Sequence, residues 1–228
     1  MKQNIILLHG ALGSKTQVKK LKKLLSNRFN VYSLNFDGHG GKSCNTDFSI
    51  DLFTNNTIEF IKENQLKNTH FFGYSMGGYV ALNLALKYPN LVNSIITLGT
   101  KFNWTKEAAK KEVKMLNPTI IEQKVPHFAE QLKAVHSPND WKILMQKTAN
   151  MMLEIANQER LTTADLKQIN HRVLIGIGSL DKMVTIEESE NAANVLPNAK
   201  LKIIDNFYHP IERNNYEILA KIVVEFIE

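Results

Sequence analysis

Six short apolar runs, each bounded by glycine, asparagine or serine, punctuate the chain: "NIILLHG" (residues 4–10), "FNVYSLNF" (29–36), "THFFG" (69–73), "NSIITLG" (93–99), "RVLIGIG" (172–178) and "AKLKIID" (199–205). Each has the length of a strand, and most are too continuously apolar for a sheet with one wet face. Between them lie segments with apolar residues at helical spacing: "KTQVKKLKKLLSN" (15–27), "DLFTNNTIEFIKENQ" (51–65), "GGYVALNLALKY" (77–88), "TIEESENAANVL" (185–196) and "YEILAKIVVEFIE" (216–228). Strands buried on both faces, alternating with helices, predict an α/β protein with an open, mainly parallel, doubly wound sheet.

One segment breaks the alternation. From residue 101 to 170 there is no strand pattern, only polar and amphipathic pieces punctuated by Pro118, Pro126 and Pro138, with "WKILMQKTANMMLEIANQ" (141–158) the clearest helix. A structureless loop of that length inside a domain is improbable, so a helical lid inserted over one end of the sheet is expected. The predicted organisation is a core of residues 1–100 and 171–228 interrupted by a lid of residues 101–170.

Composition narrows the class. With 228 residues and 43% hydrophobic content the chain can bury a substantial core. The 28 Lys and Arg against 22 Asp and Glu give a net charge of +6, but much of it is lysine on helix-like spacing, as in "KKLKKLL" (19–25) and "KEAAKKEVK" (106–114). That is the pattern of solvated helix faces, and without arginine-aromatic interleaving it does not predict a nucleic-acid partner. The single cysteine, Cys44, excludes an intramolecular disulfide, and no signal peptide or membrane span is readable. A cytoplasmic protein without a membrane partner is expected.

The candidate chemistry centres on "GYSMG" (73–77), a G-x-S-x-G pattern between a predicted strand and a predicted helix. In a parallel sheet ligands bind beyond the carboxyl ends of the strands, where Ser75 falls. Gly73 and Gly77 let the chain turn sharply, and the helix N-terminus favours developing negative charge, with the Met76 N–H as an oxyanion donor. A serine needs a base, and the base an orienting acid. "GSLDKMV" puts Asp181 just past one strand and "NFYHPIE" puts His209 just past the next. Asp205 and Asp37 compete for the acid, and His39, His127 and His136 for the base; His9 and His39 lie near the site in loops whose geometry they are expected to hold by hydrogen bonding, and His70 and His171 precede strands and face the other end. A second oxyanion donor is expected in "HGALGS" (9–14) at Ala11, with Leu12 as the alternative. No histidine pair has metal-ligand spacing.

Taken together, "HGALGS", "FDGHGGKS", "GYSMGG", "GSLDKMV" and "NFYHPIE" resemble the ordered motifs of the α/β-hydrolase superfamily along nearly the whole chain. The resemblance implies a Ser75, His209 and Asp181 triad working through an acyl-enzyme, no cofactor, and a sheet trimmed at its N-terminal side. The loop after the second strand departs from the usual pattern, with Asn35 where an aspartate commonly stands and one extra residue. Phe102, Trp104, Met115, Phe128, Trp141, Met145, Met151 and Met152 are candidates for an adaptable apolar acyl pocket. A carboxylic ester with a small apolar acyl or alkyl group is the expected substrate. Alternatives on the same fold are thioester, lactone or carbon-carbon bond hydrolysis and a menaquinone-synthase-like lyase; a non-catalytic ligand receptor is the alternative from another class.

Overall fold

A computed structural model of the chain describes residues 2–158 and 160–228. Six strands, β1 (Asn4–Leu8), β2 (Asn30–Ser33), β3 (Thr69–Tyr74), β4 (Val92–Leu98), β5 (Arg172–Gly178) and β6 (Ala199–Ile204), form one sheet in the order β2-β1-β3-β4-β5-β6. Every pairing is parallel. The helices are α1 (Lys19–Leu25), α2 (Ile50–Glu63), α3 (Met76–Lys87), α4 (Lys106–Lys114), α5 (Pro118–Lys124), α6 (Pro126–His136), α7 (Trp141–Gln158), α8 (Thr163–Leu166), α9 (Ile186–Val195) and α10 (Tyr216–Ile227).

The continuous apolarity of the strands has a simple cause. Side chains alternate across a strand, so a sheet covered on both faces needs apolar residues at every position. Ile6, Leu8, Phe71, Ile95, Val173 and Ile175 join one core with α2, α3 and α9. Ile5, Leu7, Phe72, Ile96, Leu98 and Leu174 join the other with α1 and α10. Helix α3 lies so deep that ten of its residues are buried. The two edge strands are the exceptions: β2 carries exposed Asn30, and β6 exposed Lys200 and Lys202.

Two elements are shorter than their patterns predict, and both give up residues to the site. The helical pattern from Lys15 becomes helix only at Lys19, because the Gln17 amide closes a turn on Ser14 and its side chain accepts from the Gly10 N–H at 3.0 Å. Strand β2 ends at Ser33 rather than continuing to Phe36, because Asn35 leaves the ladder. Its side chain accepts from the Lys15 N–H at 2.7 Å and donates to the Gly40 carbonyl at 3.0 Å. An aspartate at this position lacks the second donor, which gives the departure from the familiar loop pattern a structural use.

Helices α4 to α8 lie in the connection from β4 to β5. Helix α7 contributes Leu144, Met151 and Ile155 to the core beside α2 and α3, while its Trp141 and Met145 join Ile121, Ala129 and Leu132 in a small cluster of their own. Among the described residues no helix is long and apolar enough to cross a membrane, and no group of three or more His, Cys, Asp or Glu side chains is placed to hold a metal.

Candidate active site

The parallel register brings the ends of five strands to one edge: Leu8 lies opposite Gly73, Tyr74 opposite Leu98, Leu98 opposite Gly176, and Gly178 opposite Ile204. Ser75, the first residue beyond β3, has φ 51° and ψ −116° and caps the N-terminus of α3. A non-glycine residue in this region is strained, and the surroundings hold it there. Its N–H donates to the Leu98 carbonyl at 2.8 Å, and its own carbonyl accepts from the Gly78 N–H at 3.0 Å and the Thr100 hydroxyl at 2.9 Å. The glycines are there for close approach. A Cβ at Gly73 would fall 2.3 Å from the Gly78 nitrogen, and one at Gly77 would fall 2.5 Å from the Leu8 carbonyl oxygen. The first turn of α3 is thereby pressed onto the end of β1, beside the loop that carries Ala11.

Asp181 and His209 meet at the same edge. Nδ1 of His209 donates to Asp181 Oδ2 at 2.8 Å, and the two side chains are 10% and 1% exposed. The other carboxylate oxygen accepts from the Met183 and Val184 amides at 2.8 and 2.9 Å. Both oxygens are therefore engaged, and in a neutral imidazole this bond places the proton on Nδ1 and leaves Nε2 as the acceptor. Tyr74 lies against the histidine ring and donates to the His209 carbonyl at 2.9 Å. Asp205, exposed at the end of β6, takes no part, and Asp37 is paired with Lys42 at 2.7 Å. No hydrogen bond joins the Ser75 hydroxyl to the imidazole among the described residues. The link between them runs through the end of β4: Leu98 and Thr100 hold Ser75, while Gly99, at φ 61°, lies directly under the Asp181–His209 pair.

Ser75, Ala11 and Met76 line one small cavity together with Ile50, Tyr79, Lys101, Trp104, Met151, Met152 and Ile155. Neither the Ala11 nor the Met76 amide makes a hydrogen bond among the described residues. Leu12, the alternative donor, has φ 57° in a turn closed by the Gly13 amide on the Gly10 carbonyl at 3.1 Å. Of the eight residues considered for an acyl pocket, the cavity takes Trp104, Met151 and Met152. Met115 and Phe128 are exposed on the outside, Trp141 and Met145 pack in the separate helical cluster, and Phe102 lies in a neighbouring groove.

Of the remaining histidines, His127 is exposed on α6 and pairs with Gln131 of the same helix at 3.1 Å, while His9, His136 and His39 hold loops. His9 donates through Nδ1 to the Gly10 carbonyl at 2.8 Å and accepts from the Phe36 amide at 3.3 Å. Burial pushes its pKa down to about 4, against a smaller upward pull from the Gly10 bond. His136, from α6, donates to the Leu12 carbonyl and accepts from the Gly40 amide, both at 3.0 Å. It ties the loop bearing Ala11 to the loop after β2, and burial lowers its pKa too. His39 is stacked on Phe48 and held well below its ordinary value by burial. His70 and His171 sit at the opposite end of the sheet, bonded to Ser94 and the Pro89 carbonyl. Sequence reasoning did not single out the His136 clamp, Gly99, or Lys101, whose ammonium is 3.4 Å from Glu112 and 3.9 Å from Glu188 beside the cavity. Only the position of Gly99 and Lys101 just after a predicted strand could have marked them.

A six-stranded parallel sheet with a strand-turn-helix serine and an acid–histidine pair at its carboxyl edge has the architecture of the α/β-hydrolases. Within that fold the chain belongs to the serine aminopeptidase S33 family, Hydrolase_4, whose model it matches over residues 1–215. It is 22% identical over 256 residues to the uncharacterized hydrolase YugF of Bacillus subtilis, an alignment covering 100% of this chain and 90% of that one. It is 31% identical over 102 residues to ethanol acetyltransferase 1 of Hanseniaspora uvarum, covering 43% of this chain and only 30% of the yeast protein. A putative lipase from Acinetobacter baumannii superposes with a TM-score of 0.83 at 19% identity, over 99% of this chain and 83% of that one.

Proposed function

We propose that the protein hydrolyses carboxylic esters with small apolar acyl groups through an acyl-enzyme on Ser75. The observation that carries this reading is the buried Asp181–His209 pair, 2.8 Å apart, at the sheet edge where the strained Ser75 opens onto an apolar cavity. In the proposed reaction His209 Nε2 takes the Ser75 proton as the hydroxyl attacks the ester carbonyl, a bond that tightens in many hydrolases only once substrate is bound. Asp181 holds the ring and stabilises the imidazolium. The Ala11 and Met76 amides receive the oxyanion. The imidazolium then protonates the departing alcohol, the same base activates water, and the acid leaves. Residues 101–170 act as a lid over the core formed by 1–100 and 171–228, with Trp104, Met151, Met152 and Ile155 as its inner surface.

The test is hydrolysis of nitrophenyl esters from acetate upward, with fluorophosphonate labelling of the same preparation. Turnover and labelling are expected in the wild type, neither in Ser75→Ala, and labelling at least a hundredfold slower in His209→Ala. Labelling that survives His209→Ala unchanged would refute the assigned base. A second reading, acyl transfer to an alcohol instead of water, is favoured by the partial similarity to ethanol acetyltransferase 1. It predicts that added ethanol diverts the acyl group into ethyl ester in a Ser75-dependent way.

A further inference from the structure

The chamber at Ser75 is very small. Its free volume is about 40 Å³. A hollow of about 730 Å³ lies next to it, between the start of the lid, the end of α7 and α9. Trp104 and Ile155 line both spaces and form the wall between them. On the far side the wall faces Phe102, Leu161, Leu166 and Val195, in a hollow that threonines and the charged Lys106, Arg160, Glu187 and Glu188 also line.

The wall is built, not incidental. The Trp104 indole N–H donates to the Lys101 carbonyl at 3.1 Å, and the Trp104 amide donates to the Phe102 carbonyl at 3.1 Å. The Phe102 and Asn103 amides donate to one Glu188 oxygen at 3.0 and 3.3 Å, and the Lys101 ammonium donates to the Met183 carbonyl at 3.1 Å. Lys101, Phe102 and Asn103 are thus fastened to α9 and the loop before it, and Trp104 is bonded back onto Lys101 and Phe102. Ile155 stands opposite on α7 and is 4% exposed.

We propose that Trp104, backed by Ile155, is the specificity-determining residue for acyl-chain length: it closes an apolar channel so that only an acetyl-sized group fits beside Ser75. The inference rests on the ester-hydrolase reading of Ser75. The acyl group, not the alcohol, is assigned to the closed chamber because it is the part that stays attached to the serine while the alcohol departs. Without the indole, the chamber joins the 730 Å³ hollow, and a medium-chain fatty acyl group gains an apolar bed.

The experiment compares kcat/KM for nitrophenyl octanoate and acetate in the wild type, Trp104→Ala, Trp104→Phe and Ile155→Ala, with Ser75→Ala as background. The octanoate-to-acetate ratio is expected to rise at least tenfold in Trp104→Ala, on the scale by which apolar pockets discriminate chain length. It should rise in Ile155→Ala as well and stay near the wild-type value in Trp104→Phe. A ratio within twofold of wild type in both alanine variants, each folded by thermal melt, overturns the proposal. Calorimetric titration with octanoate provides a readout that needs no turnover. Binding by Ser75→Ala/Trp104→Ala but not by Ser75→Ala supports the wall, and equal binding by the two overturns it. Absence of any Ser75-dependent ester cleavage would overturn the ester reading alone and leave that binding comparison standing.

Discussion

Replacing Gly99 by alanine separates what the fold needs from what the proposed reaction needs. Gly99 ends β4 at φ 61°, and a Cβ there would lie 3.1 Å from Asp181 Oδ2 and 3.2 Å from His209 Nδ1. Those two atoms are the ends of the 2.8 Å hydrogen bond, so the methyl group intrudes on that bond. The backbone conformation alone costs about 1–2 kcal/mol for a residue with a Cβ, which at roughly 2–4 °C per kcal/mol for a chain of this size lowers Tm by about 2–8 °C. Relief of the contact requires the pair to part by a few tenths of an ångström. A hydrogen bond to a charged group contributes about 1.5–3 kcal/mol, so its misalignment is expected to lower kcat roughly 10- to 100-fold. KM should change little, because Gly99 does not line the cavity at Ser75. Steady-state hydrolysis of nitrophenyl acetate and a thermal melt give both numbers. Gly38→Ala is the control: it too has a positive φ, 79°, and its Cβ would press on the Phe48 ring at 2.3 Å, in the loop after β2 and away from the pair. A Gly99→Ala enzyme with lowered Tm and unaltered kcat would refute the coupling of the Asp181–His209 bond to turnover.

The buried histidines predict an acid-sensitive fold. His9 is held at about 4 and His39 and His136 are lowered by burial, so below pH 6.5 the unfolded chain binds protons that the folded chain refuses. Stability is full above about pH 6.5 and falls as the pH drops toward 4, by roughly 3 kcal/mol for His9 alone; melts across that range check it, and a Tm level from pH 7 to 5 would contradict it. His136→Ala leaves the Leu12 carbonyl and the Gly40 amide without their partner. It is expected to cost about 2–5 kcal/mol of stability and, by loosening the Ala11 loop, to lower kcat more than it raises KM, measured at a temperature where the variant is folded.

The fold was legible because burial on both faces writes itself into every residue of a strand. Each of the six apolar runs became a strand, and the errors fell at the ends, where Gln17 and Asn35 were recruited to loops. The serine turn was legible for a related reason: glycines at 73 and 77 answer local collisions that a short pattern can carry. Asp181 and His209 could be picked out only by their place after a strand, and the structure brings them into contact. Contacts between distant segments left no such trace. His136 reaches Leu12 and Gly40 across more than ninety residues, and nothing in the composition of α6 distinguishes it from a surface histidine. Residues 101–170 show the same limit, because apolar residues in amphipathic helices advertise burial without saying against what. Trp104 and Met151 meet the cavity while Met115 and Phe128 face outward.

The sheet order also fixes when the site can exist during synthesis. Strands β1 to β4, with Ser75 and the Ala11 loop, leave the ribosome first, but β5 and β6 must add at one side of that sheet before Asp181 and His209 arrive. Parallel pairings of this kind join distant segments and form slowly. On the proposed mechanism a half-made chain would present Ser75 without its proton acceptor and acquire reactivity toward esters only with the docking of its last strand.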